Sequence, residues 1–384
     1  MPRRHPSAVR DASPLFISET HLVQGLPRAA YVDEAWLGRE LKTVLLPAWH
    51  PLAVMQDLPQ PGDFVTRRLL GHDLILHHTP DGPRAFLNVC AHRLARLTSA
   101  TCGHAERLKC QYHGWEYAAD GRTARIPDAP AFKPLDGQRL GLTPVATATC
   151  GQVIFVRLAA EGASLEAFLG PHAAEFAAAF GADVRPCRTV VRTVAANWKV
   201  IVENTLESYH VGEVHRRSLG AMPAEQECVH ELLAHSSTFT TPGGMPGWAG
   251  GLQRRLLASV GHRPLGRYRH TLVLPTLGWG MLDDGTSLQT FEPLAADRTL
   301  VTLRSFAVQP RRPAPVRGRV LAALTARHVS FWERVFEEDI RLYPDIQAGL
   351  MAPVAPGPGL LSRREERVHH FQTWLAARVG EPAT

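Results

Sequence analysis

The spacing of apolar residues changes along the chain and divides it into three stretches. Residues 1–27 are polar and irregular. From Val32 to Leu45, the positions Trp36, Leu37, Leu41, Val44 and Leu45 fall on one side of a helical turn, which predicts a helix. From Trp49 to Leu158 the texture becomes β-like. The runs Leu52–Met55, Phe64–Leu70, Leu74–His77 and Ala85–Val89 are separated by turn signals at Pro61-Gly62-Asp63, Gly71-His72 and Asp81-Gly82. Gly151–Leu158 reads as the last strand of that set. Beyond it the helical spacing returns over Ser164–Phe180, Asn197–Val211, Leu321–Gly349 and Arg363–Val379. Strands are expected at Val190–Thr193, Tyr268–Leu274, Gly278–Leu282, Ser287–Glu292 and Thr299–Val308, and a loop over Cys228–Gly251.

Strands and helices are thus segregated rather than alternating. That predicts an α+β protein: a leading segment (1–46), a small all-β domain (47–158), and a larger domain (159–384) whose antiparallel sheet is covered by helices. The chain has 384 residues, 45% hydrophobic and 20% charged, which is ordinary globular usage. No apolar run approaches a membrane span, and no secretory h-region follows the basic start, so a cytoplasmic protein is expected. The net charge of +6 is spread along the chain, and no nucleic-acid-binding signature accompanies it. Six cysteines are too few for a disulfide scaffold, which directs attention to metal ligation.

Cys90-Ala91-His92 and Cys110-Gln111-Tyr112-His113 pair unlike ligands twice, with 17 residues between the two halves. Two thiolates satisfy one iron of a [2Fe–2S] cluster and two imidazoles satisfy the other. A structural zinc site ordinarily pairs like ligands, so the spacing disfavours zinc. Cys102 and His104 form a second C-x-H but lie too close to Cys110 for a separate loop. Cys150, Cys187 and Cys228 stand alone and read as small core residues.

The stretches Asn88-Val89-Cys90-Ala91-His92-Arg93, Cys110-Gln111-Tyr112-His113-Gly114-Trp115 and Asp120-Gly121 resemble the Rieske domain of Rieske-type non-haem iron oxygenases, the aromatic-ring-hydroxylating alpha-subunit family. Trp49 and Pro61-Gly62-Asp63 fit the same pattern. The chain departs from it at Ala91 and Gln111, where the family usually has Pro, and at Leu94, where it usually has Gly. The resemblance extends over about Tyr31 to Leu375. It implies that the larger domain is a helix-grip-like catalytic domain holding a mononuclear iron.

A second constellation lies in Glu203-Asn204-Thr205-Leu206-Glu207-Ser208-Tyr209-His210-Val211-Gly212-Glu213-Val214-His215. On a regular helix five residues turn about 500°, which leaves the two imidazoles roughly 140° apart and unable to share a metal. They converge only if the helix ends or bulges between them, and Gly212 is well placed for that. A third ligand would complete a 2-His-1-carboxylate site, which leaves positions open on ferrous iron. The acidic run Glu337-Glu338-Asp339 supplies candidates but by itself reads more readily as a solvated helix face. The resemblance selects Asp339, with Glu338 as the alternative.

The resemblance further implies dioxygen activation with electrons passed from the cluster across a subunit boundary of a head-to-tail trimer. There Glu207 would link His113 of a neighbour to His210. Ring-dihydroxylating members often carry Asp at that place. Glu is familiar from members lacking a second subunit, including those acting on quaternary amines, so a homotrimer is expected. No flavin or nicotinamide fingerprint is present, so NAD(P)H would act only through a separate reductase or ferredoxin. Arg93, Arg96, Arg107 and Lys109 surround the cluster loops and suit either an acidic partner or a solvated rim. Tyr209 and Trp198 read as packing residues. Trp248, Tyr268, Trp279, Met281, Phe291 and Phe306 lie on segments suited to line a pocket for a small organic substrate, an aromatic or an amine. Hydroxylation, oxidative demethylation and cis-dihydroxylation all remain open. The competing readings are an electron-transfer Rieske protein without oxygenase chemistry and a zinc-stabilised binding protein of the helix-grip type.

Overall fold

The computed structural model describes residues 16–133, 140–244, 247–311, 313–354, 357 and 359–380. The polar start, residues 1–15, lies outside the described residues. Strand β1 (Leu22–Val23) and helix α1 (Ala29–Val32) come first. Asp33 then caps α2 (Glu34–Glu40) by accepting from the Ala35 N–H at 2.8 Å, and a π-helical turn prolongs that helix over Leu41–Leu45.

The β-like region pairs as its alternation requires. Its strands are β2 (His50–Val54), β3 (Asp63–Leu69), β4 (His72–Thr79), β5 (Gly82–Leu87), β6 (Cys102–His104), β7 (Leu108–Lys109), β8 (Glu116–Tyr117), β9 (Thr123–Arg125), β10 (Pro144–Cys150) and β11 (Val153–Arg157). Seven of them form an antiparallel sheet in the order β2-β11-β10-β5-β4-β3-β6. The short strands β7, β8 and β9 form a separate three-stranded sheet.

The rest of the chain is built around a second seven-stranded antiparallel sheet. Ahead of it are α3 (Leu165–Leu169) and α4 (Ala173–Ala179). These replace the single helix expected over Ser164–Phe180, because Gly170 adopts a positive φ and Pro171 follows it. Then come β12 (Val184–Val194), α5 (Trp198–Thr205), α6 (Val211–Val214), β13 (Val229–Leu233), β14 (Ser236–Pro242), α7 (Gly247–Ser259), β15 (Arg267–Val273), β16 (Leu277–Leu282), β17 (Gly285–Ala295) and β18 (Arg298–Val308). The long helix α8 (Pro315–Met351), strand β19 (Leu360–Leu361) and helix α9 (Glu366–Val379) complete the chain. The sheet order is β12-β18-β17-β16-β15-β14-β13, and β19 pairs with β1.

The hairpin β13–β14 falls where a loop was expected. Its residues Ser236, Ser237 and Thr238 are buried although polar, so apolar alternation is missing from the sequence while the backbone pairing is intact.

The second sheet has two different faces. On one, Leu272, Leu274, Phe291 and Val301 pack under Trp198, Ile201, Tyr343 and Phe371 of the covering helices. On the other, Trp279, Leu288 and Phe306 pack against Phe176 and Phe180 and against Val153 and Phe155 of the first sheet. Trp279 meets Phe176 edge-on at 5.2 Å. Trp279 and Phe306 therefore belong to the layer between the sheets and do not line a pocket under the helices. Among the described residues no helix is long and apolar enough to cross a membrane.

One polar contact locks the N-terminal helix to the rest. Lys199 Nζ lies 2.7 Å and 3.0 Å from the two oxygens of Glu40, and Trp198 Nε1 donates to the same carboxylate at 2.8 Å. All three residues are fully buried. Beside them, Glu203 accepts from the Tyr31 hydroxyl at 2.6 Å and from Gln372 at 3.0 Å. Burial pushes the Glu203 carboxyl up to about 7, against the pull of those donors.

Two predictions follow from this buried cluster. Lys199→Met leaves Glu40 buried and unpaired and costs about 3–5 kcal/mol, whereas adding Glu40→Gln recovers most of it. Thermal midpoints of the two variants check this. For Glu203, the folded state binds its proton more tightly than the unfolded chain. Its contribution to stability is therefore greatest at low pH and declines as pH rises from about 4.5 to about 7. Glu203→Gln flattens that decline, which a pH series of thermal melts reads directly.

Candidate functional site

The first constellation forms two matching turns. The Cys90 N–H donates to the Ala95 carbonyl, and the Cys90 carbonyl accepts from the Leu94 N–H. Cys110 makes the same pair of bonds with Trp115 and Gly114. The fourth residue after each cysteine takes a positive φ, 58° at Leu94 and 71° at Gly114. Leucine there costs roughly 1–2 kcal/mol of backbone strain that glycine avoids. The Leu94 side chain is 77% exposed.

The two cysteines are buried, and the rings of His92 and His113 meet edge-on at 4.7 Å. Trp115 stacks on His92 at 4.9 Å, and Phe132 meets both of those rings edge-on. Tyr112 lies against His113 at 3.6 Å and is largely exposed. The Tyr117 oxygen accepts from the Ala91 N–H at 3.0 Å, which directs its O–H to Cys90 Sγ, also 3.0 Å away. Burial pushes the Cys90 thiol up, while the Tyr117 hydroxyl acts in the opposite direction. His92 Nδ1 is buried and has no hydrogen-bond partner among the described residues. Two buried sulfurs, two adjacent imidazoles and an orphaned ring nitrogen fit a Cys2His2 [2Fe–2S] cluster. Cys102 and His104 lie elsewhere, exposed on β6, with His104 Nδ1 2.9 Å from Asp63.

The second constellation depends on a break in the chain. Asn197 caps α5 by accepting from the Lys199 N–H at 3.0 Å, and the helix ends at Thr205. Glu207 then restarts the turn, because its carboxylate accepts from the N–H groups of Tyr209 and His210. His210 and His215 flank the four-residue helix α6 and cap its two ends. The break falls at residues 206–209, ahead of both histidines; the interruption expected between them at Gly212 is absent, since Gly212 lies inside α6.

The imidazoles come to 5.1 Å between ring centres. Asp339 Oδ1 lies 3.0 Å from His215 Nε2 and 3.6 Å from His210 Nε2. One ligand atom from each of the three residues falls within 4.8 Å of the others. Asp339 Oδ1 is buried and receives no hydrogen bond among the described residues. That is the donor set and the orphaned oxygen expected of a 2-His-1-carboxylate metal site.

The acidic run on α8 is divided by helical rotation. Glu337 points out to Arg192 Nε at 2.9 Å. Glu338 reaches His215 Nδ1 at 2.8 Å and accepts from Ser218 at 2.6 Å. Asp339 faces both histidines. Glu207 accepts at His210 Nδ1. With both Nδ1 protons held by carboxylates, both Nε2 atoms are left as acceptors toward a common point. Burial disfavours a charged His215, yet the Asp339 and Glu338 carboxylates outweigh it and raise its pKa. Burial likewise opposes ionisation of Glu338, but bonds from Ser218 and His215 hold its pKa below the usual value.

Residues 180–381 match the family described as the ring hydroxylating alpha subunit (catalytic domain), and residues 48–144 match the Rieske [2Fe–2S] domain. The chain belongs to the Rieske ring-hydroxylating oxygenase alpha-subunit family. The carnitine monooxygenase oxygenase subunit of Acinetobacter baumannii is 27% identical over 212 residues, 54% of this chain and 57% of that protein. The glycine betaine monooxygenase oxygenase subunit of Pseudomonas aeruginosa is 25% identical over 401 aligned positions, 92% of this chain and 89% of that protein. The large oxygenase component of the naphthalene 1,2-dioxygenase system of Pseudomonas putida is 34% identical over 213 residues, 53% of this chain and 45% of that protein. The match to the first of these thus spans little more than half its length.

The fold is shared with solved members. A quaternary ammonium Rieske monooxygenase in complex with L-carnitine superposes with a TM-score of 0.75 at 20% identity, covering 92% of this chain and 95% of that one. Naphthalene 1,2-dioxygenase with indole bound gives 0.72 at 22% identity, covering 96% and 94%.

Several residues of this Rieske family member differ from expectation. Tyr209 is 58% exposed rather than packed, because the Glu207 turn projects it outward. Cys187 is exposed on the edge strand β12 and is not a core residue. Trp248 is 83% exposed and Phe291 is buried in the helix-side core. Of the rim cations, Arg96 pairs with Asp73 at 2.7 Å and Arg107 lies 3.9 Å from Glu116. The supporting roles of Tyr117 and Ser218 were not legible, since one tyrosine or serine carries no spacing signal.

Glu338→Gln removes the carboxylate that holds the His215 proton. Affinity for the mononuclear metal should fall about 10–100-fold while the cluster spectrum stays unchanged. Ferrous-ion titration of the stripped protein measures it.

Proposed function

We propose that this protein is the terminal oxygenase component of a multicomponent system acting on a small organic substrate, an amine or an aromatic. In this reading Cys90, His92, Cys110 and His113 hold the cluster, and His210, His215 and Asp339 hold ferrous iron. The convergence of His210, His215 and Asp339 within 4.8 Å, with both Nδ1 positions occupied by carboxylates, carries it. When bound, the two groups would supply dioxygen reduction at the mononuclear site with electrons stored one at a time. The overall change takes a substrate C–H and dioxygen, with two electrons and two protons, to a C–OH and water.

The chain's own residues set the conditions for that change. Glu207 and Glu338 fix the imidazole planes and tautomers, so the metal-facing lone pairs do not rotate away. Asp339 brings one negative charge to a site otherwise made of neutral ligands. Glu207 sits on a turn beside the exposed Tyr209 ring, and in a head-to-tail homotrimer it would join His210 to a neighbour's His113. The exposed Leu94 and Tyr112 beside the cluster suit burial in such a contact.

Electrons would come from a separate reductase or ferredoxin, because no nucleotide-binding motif is present in the sequence. The division into residues 1–46, 47–158 and 159–384 follows the same reading: leading segment, Rieske domain, catalytic domain. We place the protein in the cytoplasm, a reducing compartment that suits six cysteines with none in a disulfide. Hydroxylation or oxidative demethylation is favoured over cis-dihydroxylation by Glu207, and by a match to glycine betaine monooxygenase that covers 92% of this chain.

Metal analysis of protein prepared without air should find about three irons per chain, two with a Rieske-type EPR signal after reduction. A colourless zinc protein would refute the proposal. Glu207→Gln should retain all the iron and slow single-turnover cluster oxidation by about 100-fold or more. Unchanged electron transfer would remove Glu207 from the bridging role.

A further inference from the structure

Among the described residues two buried arginines have no carboxylate partner: Arg157, whose guanidinium donates to the Ala159, Ala160 and Ala163 carbonyls beside the Trp49 ring, and Arg367. Lys199, by contrast, has Glu40, and the half-buried Arg269 has Glu175 and Glu231. Arg367, near the start of α9, is 1% exposed and pairs with no carboxylate among the described residues. Its guanidinium donates to Ser237 Oγ at 3.1 Å, the Ser237 carbonyl at 3.2 Å, the Leu206 carbonyl at 3.4 Å and His270 Nδ1 at 3.2 Å. All four acceptors are neutral. A guanidinium has five N–H bonds, so one on Nη1 is left over. Burial lowers the Arg367 pKa to about 9, which still leaves a full charge at neutral pH. An uncompensated buried charge is expensive to retain without a purpose.

The surroundings are arranged as donors. Burial and Arg367 push His270 down to about 3, so it is neutral and accepts at Nδ1. Its Nε2–H then faces Gln289 Oε1 at 3.3 Å, which leaves the Gln289 amide N–H groups free to donate. Tyr268 lies on the same face of β15 as His270, and burial pushes its phenol up to about 12, so it too remains a donor. Its hydroxyl has no hydrogen-bond partner among the described residues. The bare Cα atoms of Gly278 and Gly280 on β16 let these side chains lie across the sheet. A Cβ at Gly280 would sit 3.2 Å from the Tyr268 oxygen, and one at Gly278 would sit 3.2 Å from Gln289 Oε1.

This patch is tied to the candidate iron site from two sides. The Leu206 carbonyl that Arg367 holds ends α5, one residue before Glu207. Tyr268 stacks on Trp332 at 5.8 Å, and Trp332 lies two turns before Asp339 on the same face of α8. Two turns rise roughly 10 Å, a span suited to a small molecule.

We propose that the substrate carries a carboxylate, bound by Arg367 with help from Tyr268 and Gln289 on the helix-covered face of the sheet. The proposal deepens the oxygenase reading and rests on it for the identity of the bound molecule as substrate. Arg367 supplies the charge and Tyr268 the directional donor. Trp332 closes the side of the site toward Asp339, and the Asp284 carboxylate fixes it through His328. His328 Nδ1 is 2.7 Å from Asp284, and Trp332 Nε1 donates to His328 Nε2 at 2.8 Å.

The test is calorimetric binding to the anaerobic, iron-loaded protein. Glycine betaine is compared with choline, benzoate with benzamide, and L-carnitine is added as a longer carboxylate. At least one carboxylate should bind about tenfold or more tightly than its uncharged-end counterpart. Arg367→Gln should weaken that carboxylate about 10–100-fold without changing iron content, and Arg367→Lys should restore part of the preference. If Arg367→Gln does not fold, Tyr268→Phe decides, with an expected several-fold loss for the carboxylate alone. Wild-type affinity in a folded variant, or no preference for any carboxylate at millimolar concentration, overturns the proposal. Iron content and EPR separate the two readings. An iron-replete protein without carboxylate preference refutes the subsite alone. A protein without iron that still selects carboxylates refutes the oxygenase reading.

Discussion

An imidazole can offer a metal only one nitrogen, and only if the proton is kept on the other. In the proposed iron site, two carboxylates meet that requirement at two histidines. Glu207 accepts at His210 and also ties down the backbone of the turn that carries it. Glu338 accepts at His215 and is itself held by Ser218. A regular helix through residues 203–215 would point the two rings apart. The chain instead places His210 and His215 outside a single helical turn, at the two cap positions of α6, and the rotation of α8 delivers Asp339 to them while turning Glu337 toward Arg192.

The same economy governs the other end of the molecule. Two turns with matching backbone hydrogen bonds each present a cysteine inward and a histidine outward. The turns are specified by the chain path, not by the ligands, which explains why Ala91 and Gln111 serve where proline is usual. Leu94 is a different matter. Its left-handed backbone is strained, and its side chain is largely exposed, so burial does not offset the strain.

The legibility of the sequence followed the physics of each element. Helices and strands with one apolar face, such as α2 and β18, were visible because burial alone dictates their pattern. Paired short ligand motifs were visible because chemistry restricts both residue type and spacing. The β13–β14 hairpin was not, since Ser236, Ser237 and Thr238 line its interior and mimic a loop. Tyr209 was misjudged because an aromatic residue's fate depends on a turn set by its neighbour's side chain. Arg367 carried no local signal at all. Its meaning comes from what surrounds it in space, strands β14 and β15 and the end of α5, all remote in sequence.

The long helix α8 brings two kinds of residue into fixed phase. Asp339 faces the histidines, and Trp332, two turns earlier, meets Tyr268, while Arg367 arrives separately on α9. On the reading proposed above, reactivity and recognition would be written on different turns and different helices of one scaffold. If those roles hold, a lineage carrying this arrangement could exchange the residues at 332 or 268 while the turn that carries Asp339 stays the same. Substrate scope would then drift under selection without rebuilding the metal-facing geometry.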